Sequence, residues 1–386
     1  MTRNWRKTKT PFYLDGERNY FHISTEIHEI MSFLRIKNIK VAGISACVPE
    51  TVVRNTNSVV NNVHYDAESF VKSTGVAQRH MSEELTTSDL CYKATNKLLD
   101  DLGWERESID VMLFVSQSQD FILPATSCIL QDRLKLSKNC FCEDISLGCS
   151  GWTYGMATLA SLMSSGEMKR GLLLAGDAKK HYPADDPLFG YAGTATAIEY
   201  IEGERGFYFN FGTDGSGYAD IIVPEGGSRN PLSPDSFRKE TVDGKEYSRL
   251  ETRMKGMNVF LFATSKVPLS VKHLYEHYKL DLNSIDYLVL HQSNLKILNL
   301  IQRILKLPKE KVPTCLDEFG NTSSASIPIT IVSRLSEKLN GNKKDITCCG
   351  YGVGLSWATL NMQVSNIKIP KVIFMANEEK DMNHLA

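Results

Sequence analysis

From Ile36 onward the chain alternates short apolar runs, among them IKVAGISA, DVMLFV, GLLLAG and ATAIEYI, with helix-length amphipathic segments. A run such as DVMLFV has little polar alternation and reads as a strand covered on both faces. Strands and helices in that alternation predict stacked α/β layers. The pattern occurs twice. Ser108-Ile109-Asp110 before VMLFV returns as Ser284-Ile285-Asp286 before YLVL; the segment from Asp144 to Cys149 returns as Asp317 to Asn321; GEMKRGLLLAG returns as GNKKDITCCG. Collinear repeats of this kind predict two similar halves with a pseudo-twofold site between them, where corresponding loops converge. We therefore divide the chain into an N-terminal extension (1–34), a first half (35–205), a second half (206–365) and a C-terminal tail (366–386). Residues 1–34 lack clear periodicity and are either a surface-packed extension or an over-long translation ahead of Met31.

Composition narrows the function classes. The 386 residues are 42% hydrophobic and 23% charged, an ordinary globular mixture with core enough for a double-sized unit. Lys plus Arg number 44 against 45 Asp plus Glu, a net charge of −1, which gives no global electrostatic case for nucleic acid or an anionic membrane. Nine cysteines, an odd number spread along the chain, read as reduced thiols. The first thirty residues hold no signal-type apolar run, and no stretch reaches the roughly 18 to 20 residues of a membrane span. A soluble, cytoplasmic protein is the expectation.

Three places carry candidate chemistry. Cys149 follows an apolar run and precedes SGWTYGMATLASLMSSG, which reads as a helix, so its sulfur is expected at a helix N-terminus that favours thiolate. His291 follows YLVL and should emerge at a strand's C-terminal edge, where open α/β sheets bind ligands. The repeat places Asn321 where the first half has Cys149. The turn Gly350-Tyr351-Gly352-Val353-Gly354, between two apolar runs, can aim backbone amides into a site, although a plain hairpin is the more common explanation of such a turn. Cys140, Cys142, Cys348 and Cys349 have no partner at ligand spacing, so no metal is expected.

At these residues the chain resembles the thiolase superfamily, and within it the beta-ketoacyl-ACP synthase III family of condensing enzymes. The likeness runs from about Ile36 to Val364 and rests on DISLGCSGWTYG, LHQSNLKIL, FGNTSSASIP and GYGVGLSW, with support from STGVAQRH (73–80), TDGSG (213–217) and MKGMNVFLFA (254–263). The resemblance implies a five-layered αβαβα fold, a homodimer, and a catalytic triad of Cys149, His291 and Asn321 at the base of a pantetheine tunnel. It further implies an oxyanion hole from the amides of Cys149 and the turn Gly352, Val353 and Gly354, and a substrate pocket that includes Leu123, Tyr191, Met257 and Phe260.

The activity so implied is acyl transfer to Cys149 from acyl-CoA or acyl-ACP, then decarboxylative condensation with malonyl-ACP, with no tightly bound cofactor. Ser69, Ser73 and Pro183 stand where the family commonly places Trp and basic contacts to the CoA adenine, and Leu123 stands in place of an aromatic. These departures favour a carrier-bound or unusual acyl group, and they keep open the alternative of acyl transfer from Cys149 to a hydroxyl or amine. An acyl carrier protein is the expected partner. Lys296, Asn299, Arg303 and Lys306, opposite Ile297, Leu298, Ile301 and Leu305, form a basic stripe suited to docking it.

Overall fold

The side chains of Val111–Val115 divide between two cores, which explains why the run is apolar throughout. Val111, Leu113 and Val115 join one buried cluster with Trp152, Met156 and Ile329, while Met112 and Phe114 join another with Leu90, Leu98 and Leu99. Each large apolar side chain so buried contributes about 2 kcal/mol. The computed structural model describes residues 32–379 apart from 57, 61–62, 179–185, 340 and 342.

Two sheets carry the fold. The six-stranded sheet runs in the order Ile373–Met375, Ile39–Pro49, Ala192–Tyr200, Arg170–Asp177, Val111–Val115, Phe141–Ile145. The five-stranded sheet runs Ser32–Ile36, Phe207–Thr213, Ser356–Val364, Lys344–Gly352, Tyr287–Leu290. From Ile39–Pro49 to Val111–Val115, and again from Phe207–Thr213 to Tyr287–Leu290, the pairings are antiparallel, antiparallel, parallel. The duplicated sequence thus builds the same four-strand order twice. A strand from near each end of the described residues joins the sheet of the far half. Ser32–Ile36 pairs antiparallel with Phe207–Thr213 of the second half, and Ile373–Met375 lies parallel to Ile39–Pro49 of the first. Residues 32–34 of that strand belong to the segment set apart as an extension, of which 1–31 lie outside the described residues.

The helices are α1 (Ala67–Thr74), α2 (Thr87–Leu102), α3 (Thr126–Arg133), α4 (Gly151–Met163), α5 (Gly256–His277), α6 (Leu295–Ile304), α7 (Leu316–Phe319) and α8 (Ser326–Leu335). α2 starts where a capping box predicts: Asp89 donates its amide to Thr86 Oγ1 at 3.3 Å and Asp89 Oδ2 accepts the Thr86 amide at 2.9 Å. It ends at Gly103, whose φ of 63° suits a glycine C-cap. α2 and α3 cover the outer face of the first sheet, α4 and α8 touch both sheets from between them, and α5 covers the second sheet with α6 packed on it. The result is the five-layered αβαβα order.

α4 comes unusually close to the first sheet because two glycines face it. A Cβ on Gly155 would sit 2.7 Å from Leu173 Cδ1, and one on Gly151 would sit 2.5 Å from Val115 Cγ1. Trp152 Nε1 donates to Thr196 Oγ1 at 3.0 Å, pinning the same turn. That close approach fixes Cys149, two residues before the helix, at the end of the sheet.

Candidate functional site

Cys149 lies between the strand Phe141–Ile145 and α4, in a turn closed by the Gly151 amide donating to the Gly148 carbonyl at 2.7 Å. It is half-buried, whereas Cys47, Cys91, Cys315, Cys348 and Cys349 are buried. Burial, the largest cause, pushes the Cys315 and Cys349 thiols up to about 12, beyond useful reactivity.

The turn that reads as glycine-rich is a hairpin between Lys344–Gly352 and Ser356–Val364, and it also closes on the sulfur. A Cβ placed on Gly352 would stand 2.6 Å from Cys149 Cβ and 2.9 Å from its Sγ. Below it, Ser150 Oγ and Ser356 Oγ are 2.7 Å apart, and Ser356 Oγ donates to the Val353 carbonyl at 2.8 Å. The hairpin and the Cys149 turn are therefore tied together at two levels. The segment is a hairpin, and its tip lies against Cys149.

His291 follows Tyr287–Leu290 and is 2% exposed. Its amide donates to the Cys349 carbonyl at 2.9 Å. Its Nδ1 lies 2.7 Å from Ser326 Oγ, and the imidazole also bonds the main chain of Ser323. Burial pushes the imidazole down from 6.5 to about 3, with the Ser323 bond opposing. The ring is therefore neutral at physiological pH. Because the unfolded chain takes up the proton first, this group's contribution to stability is fully present above pH 6.5 and is lost as pH falls toward about 3. Urea unfolding midpoints followed from pH 8 to 4 should fall more steeply below pH 6.5 in the wild type than in His291→Asn; parallel curves would show that the imidazole is not held neutral by burial.

Asn321 is 5% exposed and is held by its main chain: its amide donates to the Leu188 carbonyl at 2.9 Å, and its carbonyl accepts from the Gly190 amide at 3.1 Å. Its Oδ1 accepts the Ser323 amide at 2.9 Å, which orients Nδ2 as the donor of the carboxamide. Ser323 has φ of 51°, a left-handed conformation that costs a non-glycine residue of order 1 kcal/mol or more and persists only where the surroundings impose it. Its amide serves Asn321 while its main chain also serves His291. Asp177, 3% exposed, accepts from Ser116 Oγ at 3.1 Å and from the Gln117 amide at 2.8 Å beside the same serine turn. Neither residue stands out in the sequence; the only signal is the run TSSAS next to Asn321.

One contiguous set of contacts thus links Cys149 through Gly352 and Tyr351 to His291, and His291 through Ser323 to Asn321. The pocket candidates differ widely in burial. Tyr191 is packed into the core cluster with Leu85, Leu90 and Ala178, because it immediately precedes the strand Ala192–Tyr200 beneath α2. Leu123 and Met257 are 83% and 70% exposed, the first in an apolar run with Phe121 and Ile122, the second at the start of α5, where Phe260 is half-buried. Pro183 lies outside the described residues. Ser69 is exposed on α1, and Ser73 Oγ donates within the helix to the Phe70 carbonyl at 2.9 Å. Lys296 and Arg303 are exposed on α6 opposite the buried Ile297, Leu298 and Ile301, and the exposed Lys306 follows the helix. Among the described residues no helix is long and apolar enough to cross a membrane.

Family comparison bears on the same segments. The model of 3-oxoacyl-[acyl-carrier-protein (ACP)] synthase III matches residues 143–215, which hold Cys149, and its C-terminal counterpart matches residues 275–364, which hold His291, Asn321 and Gly352. The chain is 32% identical over 332 residues to a beta-ketoacyl-[acyl-carrier-protein] synthase III of Clostridium perfringens, covering 83% of this chain and 98% of that protein. A crystal structure of 3-oxoacyl-(acyl-carrier protein) synthase from Burkholderia xenovorans superposes with a TM-score of 0.81 at 36% identity, covering 89% of this chain and 99% of the other. The Pseudomonas aeruginosa 3-oxoacyl-(acyl carrier protein) synthase III gives 0.72 at 27% identity, covering 86% and 100%.

Proposed function

The chain belongs to the beta-ketoacyl-ACP synthase III family and is a condensing enzyme that transfers acyl groups and forms carbon–carbon bonds, and from that premise we propose how its own residues divide the work. The Cys149 thiolate attacks an acyl thioester, forming an S-acyl cysteine and releasing the carrier thiol. The amides of Cys149 and of the turn Gly352 to Gly354 hold the oxyanion of the tetrahedral intermediate. Malonyl-ACP then enters. His291 and Asn321 Nδ2 donate to its thioester carbonyl, so that loss of CO2 leaves an enolate stabilised on that oxygen. The enolate carbon attacks the acyl group, giving 3-oxoacyl-ACP and regenerating the thiolate.

The observation that carries this reading is a buried neutral imidazole joined by contacts to both the sulfur and the carboxamide. A charged imidazolium would protonate the carbanion, whereas neutral donors stabilise charge without quenching it. Ser69 and Ser73 are too short to stack on an adenine, which supports a carrier-bound acyl donor. The exposed run Phe121, Ile122 and Leu123 and the open edge of Phe141–Ile145 support a homodimer. The basic stripe Lys296, Arg303 and Lys306 supports docking of an acidic carrier protein. Intact-mass measurement after incubation with mixed acyl-CoA and acyl-ACP should show one acyl adduct, on Cys149, with acyl-ACP the preferred donor. Malonyl-ACP should then discharge it with CO2 release and a 3-oxoacyl product. An adduct that ignores malonyl-ACP but forms an ester or amide with an added acceptor would replace condensation by acyl transfer.

A further inference from the structure

A buried phenol, Tyr351, stands among the residues just described and has no part in that mechanism. Tyr351 is 1% exposed. Its ring centroid is 5.3 Å from that of His291 at an interplanar angle of 83°, an edge-to-face contact. Its hydroxyl is 2.8 Å from Ser293 Oγ. The Ser293 amide donates to the His291 carbonyl at 2.9 Å, and the residue after Tyr351 is the glycine pressed against Cys149. Burial raises the phenol well above its ordinary value, with the Ser293 bond opposing, so the O–H remains a donor throughout the working pH range. A phenylalanine would fill the same volume without requiring a partner; a hydroxyl this deep must be hydrogen-bonded or be costly.

We propose that Tyr351 and Ser293 form a hydroxyl clamp that positions His291 against the Gly352 turn for the second half-reaction. Ser326 and Ser323 hold the imidazole from one side through its ring atoms. Tyr351 supplies a wall, and the bond to Ser293 stops that wall from turning, because Ser293 sits in the turn His291 begins. Tyr351 is thus a positioning residue. Asn321 makes none of these contacts, and the clamp leaves the sulfur's own turn, Gly148 to Gly151, unaltered.

The inference rests on the condensing reading, and its test separates the two. Full-length Tyr351→Phe, Ser293→Ala and the double variant should acylate Cys149 within about twofold of the wild type while kcat for condensation falls about tenfold, with KM for malonyl-ACP little changed, the size expected for one lost positioning hydrogen bond. The double variant should be no worse than either single one, since both remove the same bond. In nitrogen-15 spectra of labelled histidine, His291 should give one neutral tautomer in the wild type and exchange-broadened signals in the variants. Unchanged condensation in Tyr351→Phe, or parallel loss of both half-reactions, would overturn the clamp. If the wild type released no CO2 from malonyl-ACP, the condensing reading would fall instead, and the histidine spectra would still decide the clamp: identical spectra in wild type and variants would end it.

Discussion

Cys149→Ala is expected to give no acyl adduct at all and to lower condensation by roughly 10⁴-fold or more, the loss typical of removing a nucleophile that the rest of the site serves. Asn321→Ala is expected to behave differently. It should acylate Cys149 at close to the wild-type rate and lose about 10²- to 10³-fold in malonyl-dependent CO2 release, the effect of deleting one donor to a developing oxyanion. The contrast follows from the proposed division of roles: the sulfur takes the first thioester with the hairpin amides, while the carboxamide, oriented by the Ser323 amide at 2.9 Å, serves the second. Asn321→Ala also leaves the buried Ser323 amide without its acceptor. Asn321→Asp keeps that acceptor and removes the donor, so it separates a moved serine turn from a missing donor. Rapid-quench acylation read by intact mass, beside carbon-14 release from labelled malonyl-ACP, decides the matter; equal loss of acylation in Cys149→Ala and Asn321→Ala would contradict the division of roles.

Much of the layering was legible before any coordinates, because a strand buried on both faces must be apolar throughout and Val111–Val115 and Leu172–Ala175 are. The repeat was legible for a related reason: each half solves the same packing problem with the same strand order, so similar segments recur in sequence. The stripe on α6 was read correctly as a two-faced helix because Ile297, Leu298 and Ile301 recur at helical spacing and are buried. Ser323, Asp177, Ser293 and Tyr351 were not legible as site residues. Their roles arise from contacts between segments far apart in the chain, such as Tyr351 with Ser293, and a serine's meaning depends on which carbonyl or carboxamide the fold brings to it. The pocket candidates came from the family resemblance, and their burial was not legible in it: Leu123 sits in a run that faces solvent in the single chain, and Tyr191 is packed in a core cluster.

The Gly352→Ala substitution tests the other side of the sulfur, and its expected signature is the reverse of that for Asn321→Ala. An added Cβ would lie 2.6 Å from Cys149 Cβ and 2.9 Å from Sγ, well inside van der Waals contact, so something must move by close to an ångström. The hairpin cannot easily yield, since two residues earlier on the same strand Gly350 already faces the Ser150 Cα, where a Cβ would come within 2.9 Å, and Ser356 ties the tip to Ser150 at 2.7 Å. Relief therefore falls on the cysteine side chain and on the amides that should receive the oxyanion. A misplacement of about 1 Å costs on the order of 10²-fold in a step that depends on alignment, whereas the overpacking itself costs about 1 to 3 kcal/mol, which a chain of this size can absorb and still fold. Acylation should accordingly fall about 10²-fold, alkylation of Cys149 by iodoacetamide should change rate, and malonyl decarboxylation, which His291 and Asn321 support, should survive within a few-fold. Retention of decarboxylation shows that the protein is folded, so a Gly352→Ala enzyme that also acylated within twofold of the wild type would mean the hairpin tip does not set the position of the sulfur.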